Sequence, residues 1–190
     1  MSAIFDFDSF PRLETPRLIL REATPGDAQD LFEFYRDPQM TRYVTFGVHR
    51  TIDDTLAFLA WMADAFQKKD SIRWGYELKE TGKLIGTGGL HFWKRNIRCA
   101  EVGYHIGPPY WGGGYATEAL RAIVAFGFEH MDLNRIEGKH TAGNVGSGRV
   151  MLKTGFRYEG TLRQREVKDG LIEDSLWYSI LREEYEQPAG

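Results

Sequence analysis

The amino-acid sequence predicts a mixed α/β (α+β) fold in which a mostly antiparallel central sheet of about seven strands is flanked by about four helices. Two observations carry this prediction. Strand-like and helix-like segments follow one another in the order β-α-α-β-β-β-α-β-α-β-β, which favours one sheet covered by helices. Between residues 71 and 106, strand-like runs are separated only by short polar turns, as in a meander. Residues 1–190 are expected to form a single domain, with 1–14 as a poorly ordered or accessory segment.

The first third of the chain is expected to contain one strand and two helices. "RLILRE" (17–22) alternates polar and apolar residues, as a half-buried strand does. "TPGDAQDLFEFYRD" begins a helix, because Thr24 can cap it and Asp27 has the spacing of a capping box. Thr51 and Asp54 repeat that spacing and begin a second helix, which ends near "QKKD". The apolar stripe of this second helix is expected to consist of Leu56, Leu59, Ala60 and Ala63.

The remaining elements follow from the same two periodicities. "IRWGYELK", "KLIGTGGLHFW" and "RCAEVGYHI" predict three strands, and Gly103 in the last of them suits either a bulge or ordinary close packing. A helix over 116–130 follows, with one apolar face. "NRIEGKHT" predicts a strand, "SGRVMLKTG" a helix ending at Gly155, and "FRYEGTLRQRE" and "LIEDSLWYSIL" a final pair of strands around a "KDG" turn.

Composition excludes several classes of protein. The 190 residues include 24 Lys and Arg against 27 Asp and Glu, so no basic field favours nucleic acid. The single cysteine, Cys99, excludes an internal disulfide, and the five histidines have no metal-site spacing, so no metal is predicted. No apolar run approaches the roughly 18 residues of a membrane span, and the first residues lack a basic leader. A cytoplasmic location without membrane contact is expected.

The stretch "YWGGGYATEAL" (110–120) predicts an anion site, because a strand, a glycine-rich turn and a helix start follow one another. Three consecutive glycines are costly to order, so we expect a ligand that lies too close to the backbone for side chains to fit. The Walker pattern fails, because Gly114 is followed by Tyr115 and Ala116 instead of Lys and Ser or Thr. The dinucleotide fingerprint fails at Thr117, which argues against a nucleotide-binding oxidoreductase.

Separated motifs resemble those of the GCN5-related N-acetyltransferase (GNAT) family. Its pyrophosphate motif, Gln/Arg-x-x-Gly-x-Gly/Ala, corresponds to "WGGGYA" (111–116), with Trp111 in place of Gln or Arg. A subgroup resembling ribosomal-protein N-acetyltransferases often has "WGxGYATEA", and this chain has "WGGGYATEA". "NVGSGRVMLKTGF" (144–156) is similar to the family's Asn-x-x-Ser followed by a helix that ends in Lys-x-Gly-Phe. Together with the tail "YEGTLRQREVKDGLIEDSLWYSIL", the resemblance covers roughly residues 15–185.

The resemblance implies a GNAT-like fold and an acetyl-CoA-dependent N-acetyltransferase. Such an enzyme transfers acetyl to a primary amine by direct attack in a ternary complex. The strand "EVGYHI" can pair with the pantetheine arm, Asn144 is implied to contact it, and the glycine turn is implied to hold the diphosphate. Arg149 and Lys153 can meet the ribose phosphate or form a solvated basic face. The candidate cofactor-binding residues are Tyr104, His105, Ile106, Trp111, Gly112, Gly113, Gly114, Tyr115, Ala116, Thr117, Asn144, Ser147, Arg149 and Lys153.

Two residues are candidates for the chemistry. Glu101 is the candidate general base, because the attacking amine must lose a proton and this carboxylate lies on the strand that leads to the glycine turn. A salt-bridged or solvated glutamate is an equally ordinary interpretation. Ser147 stands at a natural N-cap position, which alone would explain it. The resemblance instead places its hydroxyl near the sulfur, where it assists the departing thiolate directly or through water.

The acceptor is the part of the function that the sequence specifies least. The resemblance favours a protein N-terminal α-amine, with a ribosomal protein as a candidate, and a polyamine or aminoglycoside as the alternative. A non-catalytic acyl-CoA-binding sensor is the alternative from another class. Tyr35, Phe92 and Trp93 are candidate substrate-binding residues, although such aromatic residues more often belong to a core. The sequence leaves homodimerisation open.

Overall fold

A computed structural model describes residues 5–43, 47–168 and 170–187. Its strands are β1 (Leu13–Glu14), β2 (Leu18–Arg21), β3 (Ile72–Leu78), β4 (Leu84–Lys94), β5 (Cys99–Ile106), β6 (Arg135–Thr141), β7 (Arg157–Lys168) and β8 (Leu171–Leu181). They form one eight-stranded sheet in the order β1-β2-β3-β4-β5-β6-β8-β7. Every neighbouring pair is antiparallel except β5 with β6. The predicted mixed, mostly antiparallel sheet is therefore confirmed, with the two-residue β1 added to it. The central residue of the predicted "KDG" turn lies outside the described residues.

Helices flank the sheet. They are α1 (Ala28–Tyr35), α2 (Pro38–Thr41), α3 (Ile52–Gln67), α4 (Tyr115–Glu129), α5 (Val145–Lys153) and α6 (Arg182–Glu186). Of these, α1, α3, α4 and α5 lie where the sequence predicts a helix. The predicted capping contacts are present, since the Asp27 carboxylate accepts from the Thr24 N–H (2.7 Å) and Asp54 from the Thr51 N–H (2.9 Å). The short helices α2 and α6 were not predicted, because one turn is too short for a periodic signal. In the described ranges, no helix combines the length and apolarity needed to cross a bilayer.

The core has two parts. The larger lies between the sheet and α4. The apolar face that the sequence predicts for α4 packs here, with Ala119, Leu120, Ile123, Val124 and Phe128 buried and Ala116 only partly buried, and Phe126 is buried in addition. The smaller includes α1 and α3, where the predicted stripe is only partly right. Leu59 is buried with Met62 and Phe66, whereas Ala60 and Ala63 are exposed. The inward face of α3 consists of Thr55, Leu59, Met62, Ala65 and Phe66, which is offset from the predicted stripe.

The N-terminal segment packs on the larger core. Phe7 is buried there, and the ring of Phe10 lies 4.8 Å from that of Phe66. The Phe5 ring lies 5.2 Å from that of Phe126 in an edge-on arrangement. Residues 5–14 thus join the main body of the protein, in contrast to the accessory role expected for them, while 1–4 lie outside the described residues.

Strands β5 and β6 diverge in the middle of the sheet. Their parallel pairing ends at Glu101 and Glu137, although β5 continues to Ile106 and β6 to Thr141. A bulge at Gly103 does not cause this divergence, because β4 and β5 pair regularly at that position and are irregular only between His91 and Lys94. The unpaired halves of β5 and β6 leave a slot that opens the centre of the sheet to ligands.

Candidate active site

Two cavities meet at the slot between β5 and β6. The smaller, of about 570 Å³, is bordered by the glycine turn and the start of α5. The larger, of about 1600 Å³, is bordered by β3 to β6, β8 and the side of α3. Tyr104, His105, Asn144 and Ser147 line both cavities. A ligand that fills the smaller cavity can therefore present one end to the larger cavity at these residues.

The glycine turn is shaped by its backbone. Gly112 and Gly114 have φ angles of 76° and 81°, in the left-handed region that favours glycine. A Cβ on Gly113 would lie 2.7 Å from Cε2 of Tyr115, whereas one on Gly112 would meet nothing within 4 Å. The glycines are thus explained by backbone conformation and by the Tyr115 ring. This differs from the expectation that ligand contact alone excludes side chains.

Backbone donors line the smaller cavity next to this turn. The first hydrogen bond of α4 joins the Glu118 N–H to the Gly114 carbonyl at 3.0 Å. The N–H groups from Gly112 to Thr117 have no hydrogen-bond acceptor among the described residues. Arg149 and Lys153 line the same cavity with exposed side chains. Free N–H groups at a helix start, with two cations nearby, are a donor set that fits a diphosphate with a further phosphate.

A brace that the sequence analysis missed holds the turn from behind. Arg17 donates from Nη1 to the Gly113 carbonyl (2.8 Å) and its guanidinium lies 4.2 Å from the centre of the Tyr115 ring. Glu118 accepts from Arg17 Nε at 2.7 Å and from the Thr15 hydroxyl at 2.6 Å. No local signal links residues a hundred positions apart, so only the fold reveals this contact.

Ser147 lies within the first turn of α5 and does not cap it. The cap is Asn144, whose side-chain oxygen accepts from the Ser147 N–H at 3.3 Å, so the N-cap interpretation of Ser147 is wrong. The Ser147 hydroxyl lies 2.9 Å from the hydroxyl of Tyr104, which donates to the Ser147 carbonyl at 2.8 Å. Burial raises the pKa of Tyr104, so its phenol stays protonated and remains a donor.

Glu101 faces the larger cavity and is 9% exposed. Its Oε1 lies 3.6 Å from Nε2 of His91, which is directly opposite on β4. Glu137, its neighbour on β6, is held by Lys94 at 3.4 Å and Arg135 at 3.2 Å. His91 was not among the predicted site residues, because the register shift between His91 and Lys94 decides which residue of β4 lies opposite Glu101.

His105 and Tyr35 lie behind the slot. The pKa of His105 is lowered to about 3 by burial and by the charges of Arg73 and His91, so its ring is neutral. Tyr35 is fully buried, and its hydroxyl is 2.8 Å from Oγ1 of Thr87 and 3.3 Å from Nδ1 of His105. Tyr35 lines neither cavity, so the structure places it in the core instead of in an acceptor wall.

Phe92 and Trp93 both line the larger cavity. Phe92 is 68% exposed and has a φ angle of 51°, at the irregular end of β4. The Trp93 ring lies 5.9 Å from that of Phe7, and the Arg95 guanidinium lies 4.2 Å from its centre, so Trp93 belongs partly to the core.

The predicted cofactor-binding residues lie together, since all of them except Gly113 line the smaller cavity.

Comparison with known proteins gives one consistent family. A family model for the acetyltransferase (GNAT) domain matches residues 17–157. The uncharacterized N-acetyltransferase YoaA of Bacillus subtilis (strain 168) is 39% identical over 173 residues, which is 91% of this chain and 98% of that protein. A GNAT-family acetyltransferase structure from Bacillus anthracis has a TM-score of 0.82 and 28% identity, and the match covers 91% of this chain and 99% of that chain. A Vibrio cholerae structure that is provisionally named a ribosomal-protein-serine acetyltransferase has a TM-score of 0.80 and 25% identity, covering 95% and 99%.

These matches confirm the resemblance that the three sequence motifs predict. The family model covers most of the chain, and the YoaA match spans nearly the whole length of both proteins. The chain belongs to the GNAT family and is an N-acetyltransferase.

Proposed function

We propose that this chain is an acetyl-CoA-dependent N-acetyltransferase that acetylates a primary amine by direct attack in a ternary complex. One observation carries the proposal. The Ser147 and Tyr104 hydroxyls lie where two cavities meet, one bordered by phosphate-type donors and the other by Glu101. A thioester entering from one side and an amine from the other would meet there, as direct transfer requires.

The residues around the smaller cavity suit coenzyme A. The turn from Gly112 to Thr117 offers backbone donors to a diphosphate, and the positive end of the α4 dipole adds to them. Arg149 and Lys153 would face the ribose phosphate. The unpaired edge of β5 beyond Glu101 offers backbone groups to the amides of pantetheine. Acetyl-CoA, when bound, supplies a thioester carbonyl that an amine can attack.

Glu101 is proposed to receive the proton of the amine. An α-amine has an ordinary pKa near 8 and is mostly protonated at pH 7, so it must lose a proton before it attacks. Glu101 is nearly buried and faces the cavity, and His91 lies 3.6 Å away, where its ring can pass the proton toward solvent. The C–N bond then forms, the C–S bond breaks and the thiolate leaves.

Ser147 and Tyr104 are proposed to stabilise the leaving thiolate by hydrogen bonding. A serine hydroxyl is a weaker acid than a thiol, whose pKa is about 8.5, and burial raises the pKa of Tyr104 above its ordinary value. Neither group would therefore give up its proton outright to the thiolate. A preorganised donor at the developing negative charge still lowers the barrier, and the thiolate takes its proton from water or from the one released by the amine.

For the acceptor, a protein N-terminal α-amine remains our expectation, and a small amine remains the alternative. The provisional name of the Vibrio cholerae structure, at 25% identity, supports the first. A sensor that binds acyl-CoA without turnover would need neither Glu101 nor Ser147 at the junction. We also keep a cytoplasmic location and catalysis without a metal as predictions.

The test is thiol release from acetyl-CoA over a panel of peptide N-termini, amino acids, polyamines and aminoglycosides, with intact mass to identify the product. We expect Glu101→Gln to lower kcat by about a hundredfold or more while the acetyl-CoA Kd stays within about twofold. Glu14→Gln, an exposed glutamate on β1, is the matched control. Unchanged turnover in Glu101→Gln would remove this residue from the mechanism. Tight acetyl-CoA binding with no turnover on any amine would favour the sensor.

A further inference from the structure

Buried polar atoms without hydrogen-bond partners collect around the larger cavity. In the described part of the chain, such atoms belong to Ser71, Arg73, Tyr76, His91, Thr141, Ser175 and Trp177. All of these residues except Tyr76 line this cavity. Leaving a buried polar group unpaired costs about 1–3 kcal/mol, so the wall of this cavity has hydrogen-bonding capacity that the described residues do not use. The guanidinium of Arg73 and the indole of Trp177 can only donate, which favours a ligand with acceptor oxygens.

Arg73 is the charged member of this set. Its Nη2 lies 3.4 Å from the point where a Cβ on Gly103 would stand, and Cε1 of His91 lies 3.2 Å from the same point. Gly103 therefore leaves the room that these two side chains occupy above β5. The charge of Arg73 also contributes to the low pKa of His105, so it acts in a poorly screened environment.

Three lysines of the larger cavity have counterions. Lys68 pairs with Asp64 at 2.6 Å, Lys94 with Glu137 at 3.4 Å and Lys139 with Glu166 at 2.7 Å. Of the other cations of this cavity, none has an ion-pair partner among the described residues, and Lys69 and Arg95 are exposed whereas Arg73 is partly buried. No carboxylate of the described ranges lies within ion-pair distance of Arg73, which has a buried and unpaired Nη1. An uncompensated cation at a partly buried site is unfavourable unless an anion binds to it.

Arg73 and Glu101 lie close enough to bind one small molecule. The Arg73 guanidinium stands over Gly103, which is two residues from Glu101 on β5, or about 7 Å along the strand. Glu101 faces the amine in the proposed reaction. A negative group on the same acceptor, only a few bonds from that amine, would reach Arg73.

We propose that the acceptor is a primary amine that carries a carboxylate a few bonds away, and that Arg73 binds this carboxylate while Glu101 faces the amine. This inference rests on the proposed N-acetyltransferase function and narrows its acceptor. A guanidinium binds a carboxylate through two parallel hydrogen bonds, which fixes the orientation of the amine. Polyamines and aminoglycosides have no anionic group, and Arg73 repels their ammonium groups. A free amino acid and an acidic N-terminal residue of a peptide both offer the required chemistry.

The experiment compares matched acceptors on the wild-type chain. Free amino acids, their α-carboxamides, peptides with acidic or neutral first residues, and spermidine are each assayed for acetylation with intact-mass detection. We expect carboxylates to be preferred over the matched carboxamides by about tenfold or more in kcat/KM, with spermidine poorer still. Preference for free amino acids or for acidic peptides identifies the source of the carboxylate. Equal rates for acid and amide, or spermidine as the best acceptor, would overturn the inference and leave the N-acetyltransferase function intact.

Variants test whether Arg73 is the residue that causes the preference for carboxylate acceptors. Arg73→Gln is expected to raise KM for carboxylate acceptors by about tenfold to hundredfold, with kcat for carboxamides and the acetyl-CoA Kd nearly unchanged. Arg73→Lys should restore part of the preference, and Arg95→Gln, a cavity cation stacked on Trp93, is the control. Preference that persists in a folded Arg73→Gln would refute the role of this residue. If that variant does not fold, the comparison of acids with amides still decides.

Binding measurements distinguish a failure of this inference from a failure of the proposed function. Calorimetry of a carboxylate acceptor and its carboxamide on the coenzyme A complex reports recognition without turnover. Preferential binding of the carboxylate with no acetylation would refute the proposed function but keep the carboxylate site. Equal binding of both would refute the site.

Discussion

The brace behind the glycine turn offers the sharpest test of how the fold positions the site. The Glu118 carboxylate is 14% exposed and accepts from the Thr15 hydroxyl (2.6 Å), the Arg17 N–H (2.8 Å) and Arg17 Nε (2.7 Å). Arg17 in turn holds the Gly113 carbonyl and covers the Tyr115 ring. Glu118→Ala removes the acceptor of all three bonds, so both the stability of the protein and the geometry of the turn should suffer.

The expected loss follows from the exposure of each partner. The Arg17 side chain is 45% exposed, so its ion pair with Glu118 contributes only about 0–1 kcal/mol. The bonds from the Thr15 hydroxyl and the Arg17 N–H go to a nearly buried carboxylate and are each worth about 1–2 kcal/mol. A total near 2–5 kcal/mol should lower Tm by about 5–15 °C in a chain of this length. Acetyl-CoA affinity should fall as well, by about tenfold, because the backbone donors of the turn are no longer held in place.

The pH dependence of stability tests the same contacts of the Glu118 carboxylate. Burial alone would raise the pKa of Glu118, but the hydrogen bonds from Thr15 and Arg17 and the charge of Arg17 lower it overall. A carboxylate whose pKa is lower in the folded state stabilises the protein above the ordinary glutamate pKa of about 4.3, and this stabilisation is lost as the pH falls through the folded value. The stability gap between wild type and Glu118→Gln, which keeps one acceptor oxygen, should be full at neutral pH and shrink below about pH 4.

Urea unfolding at neutral and acid pH, together with calorimetric titration of acetyl-CoA, measures both effects. The control is Glu14→Gln, whose side chain is 58% exposed and pairs with Arg12, so that its effect should stay below about 1 kcal/mol. Stability and acetyl-CoA affinity in Glu118→Ala equal to those of the control would refute the reasoning. A stability loss without a loss of affinity would mean that the brace supports the fold and not the turn.

Three further predictions concern the smaller cavity and its junction with the larger one. Ser147→Ala should lower kcat by about tenfold to hundredfold with little change in the acetyl-CoA Kd, and Tyr104→Phe should lower kcat by less. Steady-state kinetics and calorimetry measure the two quantities. An unchanged kcat in both variants would show that the hydroxyl pair does not stabilise the thiolate. Arg149→Gln and Lys153→Gln should each weaken acetyl-CoA binding by about threefold to tenfold at low salt. Binding of the analogue without the ribose phosphate should be unchanged. Equal losses of affinity for both ligands would show that the two cations do not contact the ribose phosphate. Asn144→Ala should lower the free energy of unfolding by about 1 kcal/mol in chemical unfolding, because it removes the side-chain cap of α5. Asn144→Asp should keep most of that stability, because aspartate can also cap a helix.

The cofactor side of the site could be predicted because its order is local. The glycine turn and the start of α4 are neighbours in the chain, so the residue types alone predict free N–H groups there. The start of α5 also follows from sequence, but its cap is Asn144 and not Ser147. Both residues are plausible caps, and only the backbone conformation distinguishes them. The burial errors at Ala60 and Ala63 on α3 have a similar origin, because periodicity indicates an apolar stripe but does not fix which of two adjacent faces packs inward.

The acceptor side could not be predicted in the same way, because it depends on register across strands. Arg73, His91 and Glu101 come from three successive strands and share a face only when β3, β4 and β5 are aligned. The irregular end of β4, with Phe92 in the left-handed region, shifts that alignment near the turn, and no residue in "KRN" predicts its size. A one-residue slip would move each of these side chains to the opposite face of the sheet.

The cofactor turn is built from residues near one another in sequence, whereas the acceptor side depends on side chains from different strands. Acceptor specificity can therefore change while the fold stays the same. The turn from Gly112 to Thr117 depends on the left-handed backbone at Gly112 and Gly114, so a side chain at either position would strain the turn that presents the cofactor donors. Arg73 is a side chain on β3 with no ion-pair partner in the described ranges, so replacing it removes a charge from the cavity without breaking a salt bridge. Specificity placed on such a position can be altered at little cost to the sheet. We therefore expect the charge at position 73 to decide the acceptor more strongly than any residue of the cofactor turn.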